Sequence, residues 1–290
     1  MKGKNVMKNK ISGKIVALLL TLIIVATSGM PLYAKETGDK ANSFRYENGQ
    51  SIAKAVPFST LSPNAWKKID GKYYSGDGSV IEGAVAKGID VSHHQGTVDW
   101  KKAKEDGVEF AIIRCGFGMN QTKQDDAQWF NNVKGCEENN IPYGVYLYSY
   151  ADTVKKAQSE AEHVLRLIKG HTLAYPVYYD IEEKAVLNKL TAEQLGKIAA
   201  TFVNKVKAEG YQTGIYSNKS NFETFLTDSQ FSQWNKWVAQ YNSAACTYKG
   251  TYQIWQAADT GTIDGVNGAV DINFAMKTTS SSDNLSLIHI

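Results

Sequence analysis

The 290-residue chain predicts an α/β fold, a truncated barrel of five βα units followed by three strands. Eight short runs rich in β-branched and aromatic residues recur between Gly88 and Asn273, and helical segments separate the first six of them. After the sixth, the intervals shorten and fill with Gly and Thr. Strands interleaved with helices imply a parallel sheet, and eight strands suffice to close one. About 190 residues is short for an eightfold barrel of ~250, and missing helices account for the deficit.

Ahead of the barrel, the first 34 residues hold Lys2, Lys4, Lys8, Lys10 and Lys14 but no acid. An apolar run from Ile15 to Ala26 follows, then small residues before Ala34. A basic start, about a dozen apolar residues and a small-residue site form a secretory signal peptide, whereas a membrane span needs ~20 apolar residues. Residues 1–34 are therefore assigned to a signal peptide, with an uncleaved N-terminal anchor as the alternative because Leu32-Tyr33-Ala34 is an imperfect cleavage site. The mature protein is expected outside the cytoplasm, secreted, with no stable membrane partner after cleavage. Without those five lysines, 27 basic side chains face 29 acidic ones, a net charge of −2. A near-neutral body argues against a nucleic-acid binder, whose affinity rests on neutralising phosphates.

Residues 35–85 read as a linker carrying one hairpin. Asp70-Gly71 and Gly76-Asp77-Gly78 are turn signals between short aromatic or β-branched segments. The stretch resembles a single copy of the aromatic–glycine repeats of cell-wall-binding proteins. Such repeats bury their faces by stacking, so a lone copy is expected to be a spacer packed on the next domain.

The barrel domain is placed at residues 86–277. Its strands are expected at Gly88–Val91, Phe110–Arg114, Tyr143–Tyr148, Pro176–Asp180, Thr213–Ser217, Lys236–Gln240, Tyr252–Gln256 and Val270–Asn273. Helices are expected at Asp99–Asp106, Asp126–Asn139, Thr153–Lys169, Thr191–Glu209 and Ser220–Leu226, and Thr191-Ala-Glu-Gln194 is a capping box. The Ser/Thr-rich tail, residues 278–290, reads as disordered. Three cysteines are too few for a disulfide framework. Cys115 and Cys136 are read as buried free thiols, with a bridge between them as the alternative.

Three strands end on acids: Ile89-Asp90-Val91, Tyr179-Asp180-Ile181-Glu182 and Val270-Asp271-Ile272. Side chains alternate along a strand, so turning the aliphatic set outward points Asp90, Asp180, Glu182 and Asp271 into the barrel mouth. Active sites of such barrels lie at that end. Glu183 is read as a surface acid. No matching set of inward cations is visible, and Arg114 neutralises at most one of the four. Clustered acids raise one another's pKa, so one keeps its proton near neutral pH. A protonated acid beside ionised ones is the requirement of glycosidic cleavage.

Competing chemistries fit less well. Asp90-x-x-His93-His94 suggests a metal-dependent deacetylase, but adjacent histidines on extended chain diverge and no helical His-x-x-x-His occurs. His163 and His171 are read as surface residues. No Gly-x-Ser-x-Gly is present, and Cys115 lacks an evident histidine partner. No metal or other cofactor is expected. Tyr146, Tyr148, Tyr150, Tyr216, Trp237 and Tyr241 cluster at strand ends, a composition suited to sugar rings, which present apolar faces and polar edges. The candidate sugar-binding set is Tyr148, Tyr178, Tyr216, Trp237, Gln256 and Asn273.

Lys87-Gly-Ile-Asp-Val-Ser-His-His-Gln-Gly96, Tyr179-Asp-Ile-Glu182, Gly214-Ile-Tyr-Ser217, Trp237-Val-Ala-Gln-Tyr241 and Val270-Asp-Ile-Asn273 together resemble the family 25 glycoside hydrolases, lysozymes of the Chalaropsis type. The resemblance covers residues 87 to about 276. It implies a flattened TIM-like barrel and N-acetylmuramidase activity on peptidoglycan glycan strands, at the β-1,4 bond from N-acetylmuramic acid to N-acetylglucosamine. It makes Glu182 the general acid and Asp180 either the nucleophile or the group that orients the substrate's acetamide. Asp90 and Asp271 complete the pocket. The alternative is a non-catalytic glycan-binding module on the same barrel, which the intact Asp180-x-Glu182 pair argues against. A monomer is expected.

Overall fold

The computed structural model describes residues 46–47, 50–51 and 61–277. The expected signal peptide, most of the linker before residue 61 and the tail from 278 lie outside the described residues. Strand β1 (Tyr46–Glu47) pairs antiparallel with β2 (Gln50–Ser51). A second hairpin joins β3 (Lys68–Ile69) to β4 (Lys72–Tyr73), with Asp70 and Gly71 both at positive φ in its turn. That two-residue loop is the geometry a twisted hairpin demands.

Eight strands close the barrel in the order β10-β11-β12-β5-β6-β7-β8-β9. They are β5 (Ala84–Val91), β6 (Phe110–Phe117), β7 (Tyr143–Tyr148), β8 (Val177–Asp180), β9 (Thr213–Asn218), β10 (Asn235–Ala239), β11 (Ile254–Gly261) and β12 (Val270–Met276). Helices α1 (Trp100–Glu105), α2 (Trp129–Glu138), α3 (Val154–Ile168), α5 (Ala192–Ala208) and α6 (Lys219–Thr224) fill the five expected intervals, and a short α4 (Lys184–Leu187) follows β8. The capping box at Thr191 and Gln194 is formed. One strand departs from the parallel expectation, since β12 runs antiparallel to both β11 and β5. The loop at residues 262–269 is too short for the crossover of a dozen or more residues that a parallel return needs.

Period-two alternation separates two cores. Ile89, Val91, Ile113, Val145, Val177, Ile215 and Ile272 belong to the layer shared with the helices. Phe110, Ile112, Tyr178, Tyr216 and Trp237 fill the barrel interior. Two glycines make room for the interior rings: a Cβ on Gly88 would lie 2.6 Å from the Phe110 ring, and one on Gly214 2.5 Å from Tyr178.

All three cysteines are free, Cys115 and Cys136 deeply buried. His163, expected on the surface, is fully buried on α3. Its Nε2 bonds Asp125 Oδ1 at 2.8 Å and its Nδ1 bonds the Gly118 carbonyl at 3.0 Å, so the β6–α2 loop folds over it. A helical pattern alone does not reveal a loop that covers the polar face.

The 66–84 hairpin packs on the barrel at the end opposite the acids. Tyr73 is buried against Phe274, with ring centroids 5.8 Å apart. Its hydroxyl donates to Glu109 at 2.5 Å and lies 3.0 Å from the Val85 carbonyl, and Lys68 Nζ reaches Glu109 at 2.6 Å. Trp66 also faces Phe274, at 6.2 Å. The hairpin's aromatic face is thus spent on the barrel. Tyr73→Phe should cost about 1–2 kcal/mol, the worth of a hydrogen bond to a half-exposed carboxylate. Calorimetry should show a melting point lower by about 2–6 °C; an unchanged one would mean the hairpin adds nothing to the barrel.

Candidate active site

Asp90, Asp180, Glu182 and Asp271 line one pocket at the barrel mouth. Asp90 sits one residue before the end of β5, Asp180 ends β8, and Glu182 follows two residues on. All four are buried. Asp271 arrives differently from the expectation: it stands at the start of its strand, not the end. Because β12 is reversed, its beginning lies at the mouth, and Asp271 pairs in register with Asp90. Tyr146, Tyr148, Tyr216, Trp237, Arg114, Ser92 and Gln95 complete the lining.

Among the described residues lining the pocket, Arg114 alone carries a fixed positive charge. Its Nε donates to Asp126 Oδ2 at 2.7 Å and an Nη contacts His93 Nδ1, so it is held from behind by an acid outside the four. The consequence is an excess of negative charge. Burial first, then the charges of Glu182 and Asp90, push the Asp180 carboxyl well above the usual carboxylate range, and Arg114 opposes only part of the shift. One Asp180 oxygen, Oδ1, is buried without a hydrogen bond. Burial also raises Asp90 to about 6, against the hydrogen bonds from Asn273, Gln256 and Asp271. Asp271 stands opposite Asp90 in the strand register, and the two carboxyl groups share the Gln256 amide as a donor.

Two amides keep that pair in place, and their orientation is forced. Gln256 Oε1 accepts from the hydroxyls of Tyr216 (2.7 Å) and Tyr241 (2.6 Å), which turns its Nε2 toward Asp90 (2.7 Å) and Asp271 (3.2 Å). Asn273 Oδ1 accepts from the Trp237 indole N–H at 2.8 Å, and its Nδ2 donates to Asp90 Oδ2 at 2.7 Å. An indole nitrogen only donates, so the amide cannot flip without losing both bonds.

Of the six expected sugar-binding residues, Tyr148, Tyr216 and Trp237 line the pocket. Gln256 and Asn273 lie one layer down, holding acids, and do not line it. Tyr178 is not at the pocket either. Its ring stands beneath it, 5.4 Å from Trp237, as part of the barrel interior. Phase along β8 predicted the direction of that side chain but not its depth. Glu183, read as a surface acid, caps α4 and accepts from the Tyr148 hydroxyl at 3.1 Å. Ser92 and Gln95 were not expected to line the site. They form a capping box on the 3-10 turn at His93–Gln95, and their Ser-x-x-Gln spacing was the available signal. Among the described residues, no group of three or more His, Cys, Asp or Glu is placed to hold a metal ion.

The raised Asp180 carboxyl implies a stability cost at neutral pH. A carboxyl whose folded pKa lies above its unfolded value of 3.8 costs nothing when protonated in both states. It costs progressively more as the pH rises toward the folded value. Asp180→Asn should therefore stabilise the fold by about 1–3 kcal/mol at pH 7–8, with the gain vanishing toward pH 4. Urea denaturation at both pH values checks this; equal gains at both would contradict it.

A family model, Glycosyl hydrolases family 25, matches residues 89–266. YegX, an uncharacterized protein of Escherichia coli K12, is 31% identical over 193 residues, covering 64% of this chain and 68% of YegX. The autolytic lysozyme of Clostridium acetobutylicum is 27% identical over 187 residues, covering 64% of this chain and 55% of that enzyme. The modular autolysin LytC of Streptococcus pneumoniae, solved with a synthetic peptidoglycan ligand, superposes with a TM-score of 0.62 at 31% identity. The match covers 72% of this chain but only about half (51%) of LytC. With the model spanning more than half of the chain, and the acids standing together at the mouth of a closed eight-stranded barrel, the protein belongs to the family 25 glycosyl hydrolases.

Proposed function

We propose that the protein is a secreted peptidoglycan hydrolase, an N-acetylmuramidase that cleaves the β-1,4 bond between N-acetylmuramic acid and N-acetylglucosamine. The observation that carries this reading is the pocket itself: four buried acids with one fixed cation among the residues lining it. Such a cluster retains protons at neutral pH, and proton donation to the glycosidic oxygen is the first need of the reaction.

The charge of Glu182 is among the causes that raise the Asp180 carboxyl. The reactive arrangement has the proton on Glu182 and the charge on Asp180, and Arg114 favours it by attracting the Asp180 charge. Glu182 then protonates the leaving oxygen as general acid. Asp180 stabilises the oxocarbenium-like transition state, either bonding to the anomeric carbon or orienting the substrate's acetamide. Water completes hydrolysis, with retention as the expected outcome. Asp90 and Asp271 hold substrate hydroxyls. Tyr148, Tyr216 and Trp237 offer aromatic faces to the sugar rings. The lysozyme and autolysin relatives support the substrate class, and the signal-peptide pattern supports action outside the cytoplasm.

Glu182→Gln should lower the clearing of a cell-wall suspension by about 10²–10⁴-fold, the usual contribution of a general acid, while the protein still pellets with the walls. Mass spectrometry of peptidoglycan digested by the parent should show muramic acid at the new reducing ends. Reducing-end glucosamine, or binding to walls without any new ends, would overturn the reading.

A further inference from the structure

One buried carboxyl on the helical side of the barrel has no part in the pocket. Glu160, on the inner face of α3, is fully buried. Its Oε2 lies 2.5 Å from the Tyr179 hydroxyl and 2.8 Å from Ser149 Oγ, and those two hydroxyls lie 2.9 Å from each other. Its other oxygen accepts the Tyr150 backbone N–H at 2.9 Å. The three oxygens form a closed triangle, and each corner belongs to a different element: α3, β8 and the segment leaving β7.

Both neighbours of this triangle reach the pocket. Tyr179 directly precedes Asp180, and Ser149 directly follows Tyr148. The Ser149 backbone N–H also donates to the Asp180 carbonyl at 3.0 Å. Phe202 of α5 stacks on the Tyr179 ring at 3.9 Å, so the ring cannot swing away. We propose that Glu160 is a positioning residue, which through its triangle with Tyr179 and Ser149 locks the ends of β7 and β8 and so fixes Asp180 and Tyr148 in the reactive pocket. The inference rests on the hydrolase reading above and adds a residue to it.

Proton counting sets the state in which the lock is closed. Three oxygen–oxygen contacts need three protons, and the two hydroxyls supply two. The third is the carboxyl proton of Glu160. Once it is lost, both hydroxyls turn to the carboxylate and the Ser149–Tyr179 contact is left with facing lone pairs. Burial raises Glu160 from 4.5 to about 7, so the triangle opens within the working range. The charged groups around it are already engaged. Lys156 on the same helix pairs with Asp152 at 2.7 Å, and Asp152 also takes Lys189 at 3.0 Å. His163 is bonded to Asp125, and Lys205 of α5 pairs with Glu162 at 3.3 Å.

Glu160→Gln keeps an oxygen for the Tyr150 N–H and puts two permanent N–H donors where Oε2 stood, so all three contacts of the triangle keep a proton at every pH, although the nitrogen accepts none. Its kcat on cell walls at pH 6 should stay within about twofold of the parent. The alkaline limb of its kcat profile should move up by about one pH unit. Tyr179→Phe, which keeps the stack on Phe202 but breaks the triangle, should lower kcat several-fold with KM little changed.

A second measurement does not depend on catalysis. An acid with a raised folded pKa loses stability as pH rises from its unfolded value through its folded one. The melting point of the parent should therefore fall relative to Glu160→Gln between about pH 4.5 and pH 7. An unmoved alkaline limb with a pH-independent melting difference would overturn the role of Glu160. A parent that releases no reducing ends, with the melting difference present, would instead sink the hydrolase reading and leave only the lock.

Discussion

Four carboxyl groups share the mouth of a barrel that sets one guanidinium among them, and the surrounding architecture answers to that charge excess. Ionising all four in a buried pocket costs several kcal/mol per uncompensated charge, so the cluster keeps protons instead. Burial raises Asp90, which faces Asp271 across the β5–β12 register, to about 6, so it takes one up as the pH falls. Asp180, pushed upward by burial and by the charges of Glu182 and Asp90, competes for another. The same imbalance that weakens the fold is what makes a proton available for chemistry at neutral pH.

Neutral donors make the arrangement tolerable without abolishing it. Gln256 and Asn273 give Asp90 two N–H groups, and each amide is aimed by side chains that donate to its oxygen: Tyr216 and Tyr241 for one, Trp237 for the other. Beneath them, Tyr178 and Phe110 fill the barrel where Gly214 and Gly88 leave room. Packing, amide orientation and carboxyl placement thus form one continuous column from the barrel floor to its mouth. Reversal of β12 is part of it, since only an antiparallel final strand sets its first residues, Asp271 among them, beside Asp90.

Much of this was legible in the sequence because the signals were periodic. Alternation along three strands turned Asp90, Asp180, Glu182 and Asp271 inward, and helical segments marked off the first six strands. Direction and depth were not legible. Nothing local distinguishes a parallel last strand from an antiparallel one except the length of the preceding loop. Nothing in the phase of Tyr178 says that it lies below the pocket, or in that of Gln256 and Asn273 that they face acids. His163 and Glu160 escaped for a related reason: their partners, Asp125, Tyr179 and Ser149, come from other elements, and a helix pattern shows a polar residue without showing what covers it. The hairpin's wall-binding look was equally local, and two of its aromatic residues, Trp66 and Tyr73, meet Phe274.

Carbon-detected NMR titration of the side-chain carboxyls of Asp90, Asp180, Glu182 and Asp271 probes the charge excess most directly. At least one of the four resonances should titrate with a midpoint near or above about 6, as the burial of Asp90 and the crowding of Asp180 require. Four midpoints at or below about 4.5, the range of solvated carboxylates, would show the pocket to be fully compensated and contradict the proton-retaining cluster.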